Sequence, residues 1–287
     1  MLRYSSSRIA RAAGVSAFRR LPWTETQARL KLRAALLGGG LHLAYQPIVH
    51  AENAEIEGFE ALVRWDDPGV GAITPDEFIP FAERRGLITR LGDWVAREAS
   101  AQAASWPQLQ QQGTFVSVNV SPVELLSGSF SERLQSILED TRLPPRHLLV
   151  EITETSAIER HRATVRELEA VRRLGVRVAA DDVGEGYMKL RVVSRLPIDV
   201  IKIPRRAMAS RSRLAQRRFL AALVRYAQRQ QIQTIVEGVE TWEQFQRALE
   251  AGCDSVQGRY VSWPLTPEGV EEFLVSGWVS PGRDESE

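Results

Sequence analysis

The stretch VRVAADDVGEG, Val176 to Gly186, sets the question from which the fold is read. Apolar residues alternate through Val176, Val178 and Ala180, meet the adjacent carboxylates of Asp181 and Asp182, and break at Gly184 and Gly186. The alternation is that of a strand with a buried face. Two acids side by side at its end repel each other and are costly to ionise unless something positive holds them.

Working outward, other β-rich runs flank this one: LHLAYQPIV (41–49), EIEGFEALVRW (55–65), FVSVNV (115–120), HLLVEIT (147–153), DVIKI (199–203) and IQTIVE (232–237), with CDSVQG (253–258) as an eighth. Helical patterns lie between them. TPDEFIPFAERRG (74–86) has Pro75 near its start and Gly86 at its stop, and RHRATVRELEAVRRLG (160–175) is closed by Gly175. About eight strands alternating with helices over roughly 250 residues predict an α/β fold, a TIM-like (β/α)8 barrel rather than an open doubly wound sheet. No Gly-rich dinucleotide fingerprint follows an early strand, which removes the main motif for the open sheet.

The barrel is expected over residues 26–276. The first twenty residues carry Arg3, Arg8, Arg11, Arg19 and Arg20 without an acid, and residues 1–25 read as a flexible basic extension, too short for an independent fold. Peripheral membrane contact by this segment has no further support in its sequence. Residues 277–287 read as a flexible tail. Across the 287-residue chain, 37 basic side chains balance 36 acidic ones, so nothing argues for a bulk hold on a DNA or RNA polymer. No stretch has the length and apolarity of a transmembrane helix. The single cysteine, Cys253, excludes an internal disulfide and a thiolate zinc cage, and the expected setting is the reducing cytoplasm.

Polar residues recur within or at the ends of seven strands: Glu60, Asn119, Glu151, Asp181 with Asp182, Lys202, Glu237 and Gln257. In such a barrel the C-terminal strand ends open on one face, so residues far apart in sequence converge there. One acid at a strand end is ordinarily a solvated terminus or a helix cap, Asn119 before Ser121 and Pro122 could cap the next helix, and a lysine can snorkel from a rim. Seven coincidences in order are harder to dismiss. Five carboxylates in one mouth require compensating charge, most commonly hard divalent cations with oxygen ligands. Two ions would suit in-line displacement at phosphorus, with Lys202 beside an attacking water. His42, His50, His147 and His161 form no HxxxH pair, and neither a GxSxG elbow nor a histidine near Cys253 supports acyl chemistry.

GFEALVRW (58–65) resembles the signature of the EAL domain family, bacterial phosphodiesterases that open cyclic di-GMP. YQPIV (45–49), TPDEFIPFAERRGLI (74–88), VNVSP (118–122), EITET (151–155), ADD (180–182), LPIDVIKI (196–203), IVEGVET (235–241) and QGRYVSWP (257–264) follow in the family's order. The resemblance implies a barrel whose first strand is antiparallel, holding two Mg2+ or Mn2+ ions and a cyclic dinucleotide. It assigns Glu60, Asn119, Glu151 and Asp181 to one ion and Asp181, Asp182 and Glu237 to the other. Lys202 would activate the water with Gln257 assisting, Gln46 and Arg64 would touch substrate, and Glu154 would brace the loop after the aspartates. The implied product is linear pGpG, and a homodimer is a further implication.

Departures cluster in that loop, where the family's DDFG, a small residue and GYSSL become DDVGEGYMKL. Val183 replaces an aromatic, Glu185 a small residue, and Met188 and Lys189 two small polar ones; Pro204 replaces an aspartate and Trp263 an arginine. The alternative to an enzyme is therefore a weak or inactive EAL domain acting as a cyclic di-GMP receptor or protein-interaction module. Non-catalytic relatives typically lose Glu60 or an aspartate of the pair, and this chain keeps all three.

Overall fold

A computed structural model describes residues 23–152, 162–183, 195–205 and 213–278. Its strands are β1 Leu41–His50, β2 Ile56–Asp67, β3 Gly71–Ile73, β4 Phe115–Val120, β5 Leu148–Ile152, β6 Arg177–Ala180, β7 Val200–Pro204, β8 Gln233–Glu237 and β9 Ser255–Gln257. The α-helices among the described residues are α1 Glu25–Ala35, α2 Pro75–Arg84, α3 Ile88–Ser105, α4 Pro107–Gln112 and α5 Pro122–Leu126 in the first half. In the second they are α6 Phe130–Thr141, α7 Arg162–Arg173, α8 Arg213–Arg229, α9 Trp242–Glu250 and α10 Pro267–Ser276.

The strands follow one another around the sheet as β1-β9-β8-β7-β6-β5-β4-β2, and β1 closes the circle on β2. Neighbours from β4 to β9 are parallel, as are β2 and β4, whereas β1 is antiparallel to both β2 and β9. The expected (β/α)8 barrel with an inverted first strand is therefore what forms. The inversion follows from sequence. Only AENAE (51–55), with Ala54 in the left-handed region at φ 65°, separates β1 from the start of β2, a connection long enough for a hairpin and too short for a parallel crossover. β3, a three-residue strand beyond the rim of β2, was not expected, being too short to show a period.

Local chemistry fixes the helices where the sequence places them. Glu77 accepts hydrogen bonds at 2.9 Å from both the N–H and the hydroxyl of Thr74, and Pro75 opens α2 with a preset φ. Gly86 (φ 64°) and Gly175 (φ 91°) take the left-handed conformation after α2 and α7. The outer core lies between barrel and helices. There Trp65 packs edge-on against Phe78 at 5.6 Å, and Tyr45 against Trp106 at 5.0 Å. Each such ring contributes roughly 1.5–3 kcal/mol through burial.

A second, inner core fills the barrel. Ile48, Phe115, Leu149, Ala179, Val200 and Ile235 are buried together as an apolar disc across its width. Gly58 makes room for it: a Cβ there would lie 2.6 Å from the carbonyl oxygen of Phe115 and 2.9 Å from its ring. That close approach explains the glycine that opens GFEAL.

Candidate active site at the barrel mouth

The disc dictates what lies above it. Side chains two residues apart on a strand share a face, so each disc residue is succeeded toward the mouth by a polar one. Leu149 leads to Glu151, Ala179 to Asp181, Val200 to Lys202 and Ile235 to Glu237, while in the reversed β1 Ile48 is preceded by Gln46. The registers level them. Gln46 pairs with Glu60, Asn119 with Glu151, and the disc residue Ile48 with Gln257.

One ammonium stands at the centre. Lys202 Nζ lies 2.5 Å from Glu151 Oε2, 2.8 Å from Glu237 Oε1 and 3.3 Å from Glu60 Oε2, with the side chain 0% exposed. It does not reach in from the rim; it is part of the interior. Glu60 is gripped from two other sides, by Asn119 Nδ2 at 3.0 Å and Gln257 Nε2 at 2.7 Å. Carboxylate oxygens of Asp181, Asp182 and Glu237 lie within 4.8 Å of one another, a grouping able to hold a metal ion. Glu151 Oε1 and Gln257 Oε1, both buried, accept no hydrogen bond.

The electrostatics reflect four carboxylates acting on the Lys202 ammonium. Burial pushes the Glu151 carboxyl up to about 7 although Lys202 pulls it down, and Glu60 and Glu237 add to the rise. Asp181 is raised well above the usual carboxylate range, first by burial and then by Glu237, with Lys202 opposing. Burial disfavours the charged Lys202, yet Glu151, Glu237, Glu60 and Asp181 together hold it well above its ordinary value. Among the described residues, burial and mutual repulsion thus raise Glu151 and Asp181 despite the nearby ammonium.

The backbone after β6 turns sharply. Asp182 sits at φ 56°, a left-handed conformation that aspartate tolerates better than most residues, and its N–H donates to Asp181 Oδ1 at 2.8 Å. Val183, standing where the family has an aromatic, is fully buried, and its N–H donates to the carbonyl of Lys202 at 3.0 Å. The valine thus keeps the turn tied to β7. Glu154 and the loop positions Glu185, Met188 and Lys189 lie outside the described residues.

Of the expected substrate contacts, Gln46 joins the cluster: its Oε1 accepts from Gln257 Nε2 at 3.4 Å and its Nε2 donates to the Ser262 carbonyl at 3.2 Å. Arg64 stands further out, its Nη1 donating to the Val63 carbonyl at 2.9 Å. Burial lowers its pKa while the charge of Glu60 raises it.

Two features escaped the sequence reading. Ser117, paired with Glu60 across the sheet, is buried beneath the site with its hydroxyl unpartnered. Beyond the strand ends, Arg205 and Arg259 both reach Glu240, the latter at 3.3 Å. A hydroxyl inside an apolar-looking strand gives no signal, but three charges each two or three residues past a site residue could have been noticed. The remaining nucleophile candidates are inert: Cys253 is buried with its thiol pushed up to about 12, mainly by burial, and His147 Nδ1 lies 2.6 Å from the Thr114 carbonyl.

Residues 29–264 match the profile of the EAL domain. The chain belongs to the EAL domain family. The cyclic di-GMP phosphodiesterase NbdA of Pseudomonas aeruginosa is 36% identical over 251 residues, covering 87% of this chain and 32% of that protein. An uncharacterized protein, y4lL of Sinorhizobium fredii, is 38% identical over 252 residues, 86% of this chain and 30% of its own length. The PaMucR phosphodiesterase in its c-di-GMP complex shares the fold with a TM-score of 0.78 and 34% identity, covering 85% of this chain and 99% of that one. The EAL domain described here thus spans about a third of the length of the curated relatives it matches. Among its described residues no helix is long and apolar enough to cross a membrane.

Proposed function

We propose that this EAL domain is a metal-dependent phosphodiesterase that hydrolyses cyclic di-GMP to linear pGpG. The observation that carries the reading is the acidic cluster at the mouth: among the described residues, carboxylate oxygens of Asp181, Asp182 and Glu237 gather within 4.8 Å of one another beside the Lys202 cluster, and two buried oxygens, Glu151 Oε1 and Gln257 Oε1, lack donors. Oxygen-only donors in a crowded acidic basin fit hard divalent cations. Glu60, Asn119, Glu151 and Asp181 would hold one Mg2+ or Mn2+, and Asp181, Asp182 and Glu237 a second. When bound, such ions supply Lewis-acid charge at the phosphoryl oxygens and acidify water toward neutrality.

The chain's own groups supply the rest. Lys202, fixed by three carboxylates, orients the attacking water and offers positive charge where the phosphorane oxygens develop negative charge. Gln257 and Gln46 hold the floor of the site through their mutual hydrogen bond, and the forked donors of Arg64 suit the second phosphate. Water adds to phosphorus, its proton passes to a carboxylate of the basin, and one P–O ester bond of the ring breaks, the leaving ribose oxygen taking up a proton to become a free hydroxyl. On this reading the domain works in the bacterial cytoplasm, with homodimerisation as a further expectation.

A second reading, binding without turnover, draws on the altered loop from Val183 to Lys189. One experiment separates the two. Purified protein is incubated with cyclic di-GMP and Mg2+ or Mn2+, and pGpG is followed by chromatography beside the Glu60→Ala variant. The expected outcome is pGpG from the unmutated chain and a loss of at least about a hundredfold in the variant. Tight binding with no product establishes the receptor instead.

A further inference from the structure

Trp263 is 55% exposed and is the one exposed aromatic side chain among the described residues. Singly exposed apolar residues need no explanation, but the position of this one is unusual. It follows Ser262, whose carbonyl receives the Gln46 amide at 3.2 Å. Gln46 in turn is joined to Gln257, and Gln257 to Glu60. The tryptophan therefore sits one residue from the end of a hydrogen-bonded chain that starts in the acidic basin.

The segment that carries it is also stiff. Leu265 exchanges two backbone hydrogen bonds with Tyr45, at 2.7 and 2.8 Å, which fastens residues 262–265 to the mouth end of β1. Pro264 restricts the backbone of the residue before it to extended conformations. An indole has only two side-chain torsions to order, so a large apolar plate on a pinned backbone binds at low entropic cost. Among the described residues it makes no ring contact and is not packed against the core.

We infer that Trp263 is a substrate-binding residue whose indole stacks on one purine base of the dinucleotide while the basin engages the phosphodiester. This rests on the proposed phosphodiesterase or receptor reading of the same site and adds to it the contact that recognises a base. Stacking on an aromatic ring holds the base without reading its edge, and acts on binding more than on the chemical step.

The test compares the unmutated chain with Trp263→Ala and Trp263→Phe, using cyclic di-GMP as the probe. Dissociation constants come from equilibrium titration, and KM and kcat from pGpG formation where turnover occurs. Trp263→Ala is expected to raise Kd and KM roughly tenfold with kcat within about twofold, Trp263→Phe to recover most of the loss. Quenching of indole fluorescence on binding should fall in both variants. Unchanged affinity and quenching in Trp263→Ala overturn the inference while leaving the reading of the site intact. If the unmutated chain neither binds nor cleaves cyclic di-GMP, that reading fails and the inference with it.

Discussion

The apolar disc divides the barrel interior into two polar ends that solve the same problem in opposite ways. At the N-terminal end, Glu57 accepts hydrogen bonds from Gln233 and Ser255, and Arg177 donates to Gln233 at 3.2 Å while lying over the Phe115 ring at 4.5 Å. His50 closes the group, 3.3 Å from Ser255 Oγ. Here Gln233 joins the Arg177 guanidinium to the Glu57 carboxylate. At the mouth, three carboxylates close on the Lys202 ammonium, Asp181 and Asp182 stand beside them, and among the described residues the buried oxygens Glu151 Oε1 and Gln257 Oε1 are left over. A closed network specifies a structure; an open one keeps capacity for a ligand.

Removing the balancing charge at the closed end should produce the largest effect on folding. Burial lowers the Arg177 pKa while Glu57 and Asp199 support its charge. In Arg177→Met, Glu57 is left buried without its counter-charge, and chemical denaturation should show a loss of about 3–5 kcal/mol. Adding Glu57→Gln should restore much of it. Turnover by the folded single variant should stay near that of the unmutated chain. A large loss of kcat with intact stability would erase the distinction between the two ends.

The open end should instead respond to cations. Mg2+ or Mn2+ at a hundred times its dissociation constant should stabilise the folded chain by about 2.7 kcal/mol, read as a rise in thermal midpoint. Asp181→Asn should lose most of that rise, whereas Arg177→Met should keep it. An equal response in both variants would place the ion elsewhere.

The two ends also differ in how plainly they are written. The mouth was legible because acids, an asparagine and a lysine interrupt strands at the point where side chains should be apolar, once per strand and in the same phase. The strands themselves were legible because Val, Ile and Leu alternate across short runs bounded by Gly and Pro. The closed end was not, since Glu57, Arg177, Gln233 and Ser255 stand at or near strand starts, where polar residues carry no signal. Their partnership exists only in the closed circle, with Glu57 and Gln233 separated by 176 positions. Lys202 was legible as a site residue but not as a buried one, because burial depends on three carboxylates that no local pattern reveals.

Another buried carboxylate shows what happens without either solution. Glu124 on α5 is almost wholly buried, with Oε2 accepting from the Ser121 N–H at 3.0 Å and Oε1 unpartnered. Gly92 of α3 leaves it room, since a Cβ there would collide with the carboxylate. Burial pushes its pKa up to about 8 although the Ser121 N–H lowers it; Asp93 and Glu83 add to the rise and Arg133 opposes it. The folded chain therefore keeps a proton that the unfolded chain releases near its ordinary value of 4.5. Stability must fall as pH rises between those two values and level off above the higher one, with a slope of at most about 1.4 kcal/mol per pH unit. Glu124→Gln keeps the shape and the acceptor for Ser121 while removing the titration. Its denaturation midpoint should exceed that of the unmutated chain at pH 8 and converge with it near pH 5. A gap of the same size at both pH values would mean that Glu124 is ionised in the folded chain. Buried acids here would then tolerate charge without a cation, and the case for metal at the mouth would weaken with it.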